Sequence, residues 1–294
     1  MSNLVLINKP KGITSFRAVS VLKRKLNIKR IGHTGTLDPM ATGVLPLLTG
    51  RASRLSSLML DSEKGYKATI RLGVTTDTLD ITGEVLTQSE VDVTDAELLS
   101  AINSFKGVYM QTPPMYSALK KDGVRLYELA RQGIEIERKA REVEIKKIEL
   151  IKRINETDFI INVLCSKGTY IRSLAGDIGE KLGVGATLLE LVRTLAAGFK
   201  IDDCIPLEEI ENDLRDDYLL SAEVAVKHLR EVTVSEKQAT RFLNGGALDI
   251  ERIRGDKNFQ DSEKVHVKFD GEFLGVGNIN LDKNQIEIGC IIKE

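Results

Sequence analysis

Apolar and polar positions along this chain follow two periods, and its elements can be read from where each one holds. Leu4-Val5-Leu6-Ile7 is a short apolar run that fits a strand, and Lys9-Pro10-Lys11-Gly12 breaks it. Ser15 is placed to cap a helix running to about Leu26, with Phe16, Val19, Val21, Leu22 and Leu26 at mostly helical spacing. A second helix is expected from Ala52 to Glu63. Residues 64 to 73 alternate, with Tyr66, Ala68, Ile70 and Leu72 on one side and Lys67, Thr69 and Arg71 on the other, as in a strand with one buried face. Gly73 to Gly83 reads as a polar loop. Thr94 to Lys106 reads as a helix whose cap, Thr94, is completed by Glu97. Glu142 to Arg153 and Phe159 to Cys165 are two further alternating strands, and a helix through Leu182 follows them.

Two stretches depart from these periods. Residues 111 to 141 open on Pro113-Pro114, turn at Asp122-Gly123 and hold a short helix from Tyr127 to Gln132, stopped by Gly133. The acidic stretch from Asp202 to Glu223 has helical spacing and is expected to cover the outside of a first domain spanning 1 to 228. Beyond it come short strands with glycine turns and one helix at Ser235 to Leu243, which make a small mainly-β domain at 229 to 294.

At 294 residues the chain can hold one large domain, or a large and a small one. Its 42% hydrophobic and 29% charged content is that of a soluble globular protein. No apolar run approaches the ~20 residues that span a bilayer, and no secretory signal is visible at Met1-Ser2-Asn3-Leu4-Val5. Cys165, Cys204 and Cys290 lie far apart without ligand spacing, so a reduced, cytoplasmic setting and no zinc site are expected.

The net charge of -1 hides an asymmetry. Residues 1 to 60 carry ten Lys/Arg against the single acid Asp38, whereas residues 201 to 230 hold nine acids against three bases. Such a division suits a polyanion bound on one side. A solvated basic helix face at Arg17 to Arg30 is the plain alternative.

Within the basic region, residues 32 to 46 hold three glycines, two prolines and one charge, Asp38. That composition suits neither a helix interior nor a central strand. Yet Leu37, Met40, Ala41, Val44 and Leu45 are apolar enough to be buried, so an irregular backbone is expected to run through protein interior. From local spacing alone, Asp38 before Pro39 either caps a helix or is a carboxylate held for chemistry.

The stretch Gly32-His33-Thr34-Gly35-Thr36-Leu37-Asp38-Pro39-Met40-Ala41-Thr42-Gly43-Val44-Leu45-Pro46 resembles, at every fixed position, the signature of the bacterial tRNA pseudouridine-55 synthases, the TruB family. The resemblance implies that Asp38 is the catalytic aspartate and that Tyr66 stacks against the target base. Lys167-Gly168-Thr169-Tyr170-Ile171-Arg172 matches a second motif, which makes Arg172 a catalytic-site arginine and Lys167 a substrate contact. Lys9 belongs to a third, His33 is implied to insert near the space the base vacates, and Leu191 is a pocket wall. Val192 stands where relatives can carry arginine, so one basic contact would be missing or supplied from elsewhere.

The resemblance further implies an α+β fold, with a large, mostly antiparallel sheet followed by a PUA-like RNA-binding domain. Residues 111 to 141 would be an insertion that grips the T loop, and the partner is the T stem-loop of tRNA. No metal, cofactor, membrane or obligatory protein partner is implied, and the chain would act as a monomer. Other classes remain on the residues alone. A non-enzymatic RNA-binding protein would not need Asp38 or Arg172, and an aspartate-nucleophile hydrolase would have only His33 as acid/base partner. A guide-RNA-dependent synthase usually lacks the 111 to 141 insertion.

Overall fold

The computed structural model describes residues 2–60, 62–121 and 123–293. In chain order it begins with β1 (Asn3–Lys9), α1 (Ser15–Leu26), β2 (Ile31–His33), β3 (Thr42–Thr49), α2 (Ser56–Leu60) and β4 (Lys64–Leu72). Next come β5 (Val74–Thr76), β6 (Val85–Gln88), α3 (Asp95–Asn103), β7 (Gly107–Gln111), β8 (Lys120–Lys121), β9 (Val124–Arg125) and α4 (Leu126–Ala130). β10 (Arg141–Arg153), β11 (Asp158–Cys165), α5 (Ile171–Lys181) and β12 (Ala186–Ala196) complete the central part. The short pieces β13 (Phe199–Lys200), β14 (Ile205–Pro206), α6 (Leu207–Asn212) and β15 (Leu220–Ser221) follow. Last are β16 (Arg230–Thr233), α7 (Glu236–Leu243), β17 (Leu248–Asp249), β18 (Lys264–Phe269), β19 (Glu272–Asn280) and β20 (Gln285–Ile291).

One large sheet runs in the order β14-β1-β3-β12-β4-β11-β10-β7, with β2 paired to β3, β13 to β12 and β15 to β1 off this path. Its pairings are antiparallel except β1 with β14 and β3 with β12. A second sheet, β16-β18-β19-β20-β17, has its own core of Val232, Phe242, Leu248, Val265 and Val267. A third apolar cluster joins the two, packing Leu4, Leu48 and Leu55 with Val276 and Ile292. The α+β class expected from the sequence, a mostly antiparallel sheet followed by a small mainly-β domain, is the one observed.

Several local expectations change. Gly43 and Pro46 lie inside β3, a central strand, and only residues 34 to 41 are irregular. Pro46 is tolerated because β12 pairs with β3 only at Thr42 and Gly43, and β2 only at Leu47 to Thr49. It sits in the gap between them, where no ladder bond is required of its missing N–H. Gly43 is required by contact, since a Cβ there would lie 2.2 Å from Arg193 O.

The expected helix over 52 to 63 is shorter: a 3-10 turn over Gly50–Leu55 leads into α2, and β4 already begins at Lys64. The loop over 73 to 83 contains β5, which pairs with β6. The acidic stretch is α-helical only in α6, with 3-10 turns at Ile201–Asp203, Asp216–Tyr218 and Ala222–Ala225, while β14 and β15 pair with β1. Asp122, expected to turn the β8–β9 hairpin, lies outside the described residues.

Candidate active site

Thr14, not Ser15, caps α1, accepting from Arg17 N at 3.1 Å. Ser15 is thereby released to bind the irregular segment: its Oγ accepts from Leu37 N at 2.8 Å and donates to Leu37 O at 3.1 Å. Gly12 N donates to Pro39 O at 2.7 Å. From the other side Arg193 of β12, 1% exposed, donates to Val44 O at 2.7 Å, Gly35 O at 3.2 Å and Thr36 O at 3.4 Å. Buried backbone carbonyls need such partners. Arg193 supplies them from inside the protein, so it is a strut of the loop.

Asp38 therefore leaves a backbone fixed on both flanks. It caps no helix; Ala41 N donates to Asp38 O at 3.1 Å in a turn. Arg172, at the start of α5, reaches it with Nε at 2.9 Å from Oδ2. The same guanidinium donates to Thr78 O at 3.1 Å and Tyr116 O at 2.8 Å, and its Nη1 stands 3.5 Å from Asp80 Oδ2. Asp80 is held in turn by Thr82 N at 3.0 Å and Thr78 Oγ1 at 3.0 Å. Arg172 is thus a buried cation between two carboxylates, and only Asp38 has an open side.

Burial pushes the Asp38 carboxyl above its ordinary pKa, Arg172 beside it opposes the shift, Asp80 adds to it and Lys9 opposes it. The result is an ionisable carboxylate more basic than a solvated one and accessible from one side, which suits a nucleophile or a proton acceptor.

Tyr66 on β4 is nearly buried, and burial lifts its phenol to about 12, with Arg193 opposing, so the ring stays neutral at physiological pH. β12 pairs Arg193 with Tyr66 and Leu191 with Ala68, which sets Leu191 and Tyr66 on one face of the sheet. His33 ends β2, and its Nδ1 accepts from Gly35 N at 3.3 Å. Burial, followed by the charge of Arg193, lowers its pKa below the usual value.

Lys9 is fully buried, and its ammonium donates to Pro10 O and Ile13 O, both at 2.8 Å. Burial lowers its pKa to about 8, with Asp38 opposing. It braces the turn before α1 and reaches the substrate side only through its field. Lys167 is exposed, on the turn between β11 and α5.

The structure gathers Asp38, Arg172, Lys9 and Tyr66 around one point. Sequence reasoning missed Asp80 and the inward role of Arg193. Asp80 lay in a stretch that read only as a polar loop; it faces a guanidinium.

Comparison with known proteins places the chain in a family. Residues 23–171 match the model of the TruB family pseudouridylate synthase N-terminal domain. Residues 172–233 match that of the tRNA pseudouridylate synthase B C-terminal domain. The chain is 44% identical to the tRNA pseudouridine synthase B of Alkaliphilus oremlandii, over 97% of this chain and 96% of the relative. It is 43% identical to that of Clostridium perfringens, over 94% and 95% respectively. A solved H/ACA ribonucleoprotein bound to a substrate RNA containing 2'-deoxyuridine has the same fold, with a TM-score of 0.73 at 24% identity, over 99% of this chain and 85% of that one. The chain belongs to the TruB family of pseudouridylate synthases.

Proposed function

We propose that the protein isomerises uridine to pseudouridine in tRNA, that its target is uridine 55 of the T loop, and that Asp38 is the catalytic carboxylate. The observation that carries this reading is the half-open Asp38 carboxylate set against the buried Arg172, at 2.9 Å.

In the reaction the bond from C1′ to N1 breaks, the uracil turns, and a bond from C1′ to C5 forms. The hydrogen on C5 leaves as a proton and N1 gains one. No external electron acceptor and no second substrate are called for, so one carboxylate serves without a cofactor. Asp38 acts as nucleophile at C1′ or as the base that takes the C2′ proton to give a glycal; both roles need it ionised.

A uridine in a folded loop must leave its stack, at a cost of a few kcal/mol. Tyr66, as a platform, and His33, near the vacated space, offset that cost in this reading. Residues 111 to 141 hold the T loop, within a catalytic domain of 1 to 228, and a PUA-like domain of 229 to 294 gives a second RNA contact. The substrate is cytoplasmic tRNA, met by a monomer without an obligatory protein partner.

The test uses two tRNA transcripts, one with uridine and one with cytidine at position 55, mapped for pseudouridine by a carbodiimide adduct that stops reverse transcription. One stop at position 55, absent from the cytidine RNA, is expected. Stops elsewhere, or none, would contradict the assignment.

A further inference from the structure

Gln111 ends β7, opens the 111 to 141 segment and is 1% exposed. Its side chain brackets the backbone of Tyr170: Nε2 donates to Tyr170 O at 3.0 Å and Oε1 accepts from Tyr170 N at 2.8 Å. Nε2 also donates to the Tyr109 hydroxyl. Tyr170 caps α5 without any side-chain cap bond of its own, and Arg172 is the second residue of the helix. Ser173 Oγ donates to Thr112 O at 2.9 Å, and Arg172 Nη2 to Tyr116 O at 2.8 Å. The first turn of α5 is therefore bonded at three residues to the root of the segment. Helix starts leave orphan groups and fray unless they are held, and a shift of about 1 Å would carry Arg172 Nε out of hydrogen-bond range of Asp38.

We propose that Gln111 is a positioning residue for the reaction. It sets the start of α5, and through it the place of Arg172 against Asp38, so the root of the RNA-facing segment and the catalytic pair form one rigid unit. The inference rests on the reading of Asp38 as the catalytic carboxylate. Asp38 is faced by Arg172 from α5, Asp80 from the turn after β5, Lys9 from β1 and Tyr66 from β4. Of these, only Arg172 is seated by Gln111.

The experiment measures kcat and KM on a tRNA transcript across pH for wild type, Gln111→Met, Ser173→Ala and Tyr109→Phe. Gln111→Met should lower kcat by about 10- to 100-fold with KM changed less than about threefold. Its acid limb should move to higher pH, because Arg172 no longer stabilises the Asp38 carboxylate fully. Ser173→Ala should change both quantities in the same direction by less, and it carries the test if Gln111→Met does not fold. Tyr109→Phe, which removes a partner of Gln111 but leaves the bracket on Tyr170, should keep the wild-type kcat and pH profile. A wild-type acid limb in both Gln111→Met and Ser173→Ala, or the same loss in Tyr109→Phe, would overturn the proposal. If wild type is active and Gln111→Met matches it, this inference alone falls. If wild type is inactive on every tRNA, the reading of Asp38 falls and takes the inference with it.

Discussion

Arg172 Nε stands 2.9 Å from Asp38 Oδ2, and the two ends of this contact differ in exposure: 6% for the arginine side chain and 38% for the aspartate. The cation is locked in protein by two carbonyls and Asp80, while the anion keeps a side for a substrate.

That asymmetry sets a pH dependence. Burial raises the pKa of Asp38 and Arg172 opposes the rise. A reaction that needs the carboxylate should lose rate as pH falls through this raised value, above the ordinary carboxylate pKa of about 3.9. Arg172→Met leaves burial and Asp80 opposed only by Lys9, so the acid limb should move to higher pH and kcat should drop by roughly 100-fold or more. A pH–rate profile with the wild-type limb in that variant would refute the pairing.

Tyr66 gives a second expectation. Its phenol stays neutral, so if the ring is the platform, Tyr66→Phe should retain activity within about tenfold, and Tyr66→Leu should lose more, about 1–3 kcal/mol of base stacking. Equal losses in kcat/KM would argue for the hydroxyl and against stacking.

Gly43 is a packing constraint with a conformational one on top. Its φ is +107°, and a Cβ would meet the Arg193 carbonyl oxygen at 2.2 Å. Gly43→Ala should destabilise the fold by about 3 kcal/mol or more, read from denaturant unfolding. A change under about 1 kcal/mol would mean that β3 and β12 can separate at no cost.

Arg71 and Asp158 bridge β4 and β11 with two bonds, both at 2.8 Å, and Arg71 holds the Asp158 carboxyl below its ordinary pKa. The stability this lends is complete above the unfolded pKa of about 3.9 and is lost as pH falls through the lower folded value. Because Arg71 is 40% exposed, a double-mutant cycle should give no more than about 1 kcal/mol at neutral pH. The coupling should fall away as pH drops through that lowered value. Coupling that survives strong acid would contradict the ion pair.

The alternating strands were legible in the sequence because period two is a local property: Tyr66 to Leu72 and Glu142 to Arg153 show it without any partner. Asp38 was legible as a lone charge in an apolar, glycine-rich stretch, and its chemistry through the motif resemblance. Asp80 was not, since its meaning lies in a guanidinium contributed by α5, far along the chain. The buried roles of Arg193 and Lys9 were hidden for a related reason. A cation on a strand reads as a surface group, and only the folded loop brings the carbonyls that let it be buried. Pro46 looked incompatible with a central strand because the gap in its pairing belongs to β2 and β12, not to its neighbours in sequence.

The most direct measurement uses tRNA transcript carrying tritium at uracil C5, with wild type and Asp38→Asn compared under single turnover. Bond formation at C5 must release that hydrogen to water. Wild type should release one tritium per target uridine, and Asp38→Asn should still bind the RNA and release none. Release by the variant at a comparable rate would contradict Asp38 as the catalytic carboxylate. Binding without release by either protein would contradict the synthase reading itself.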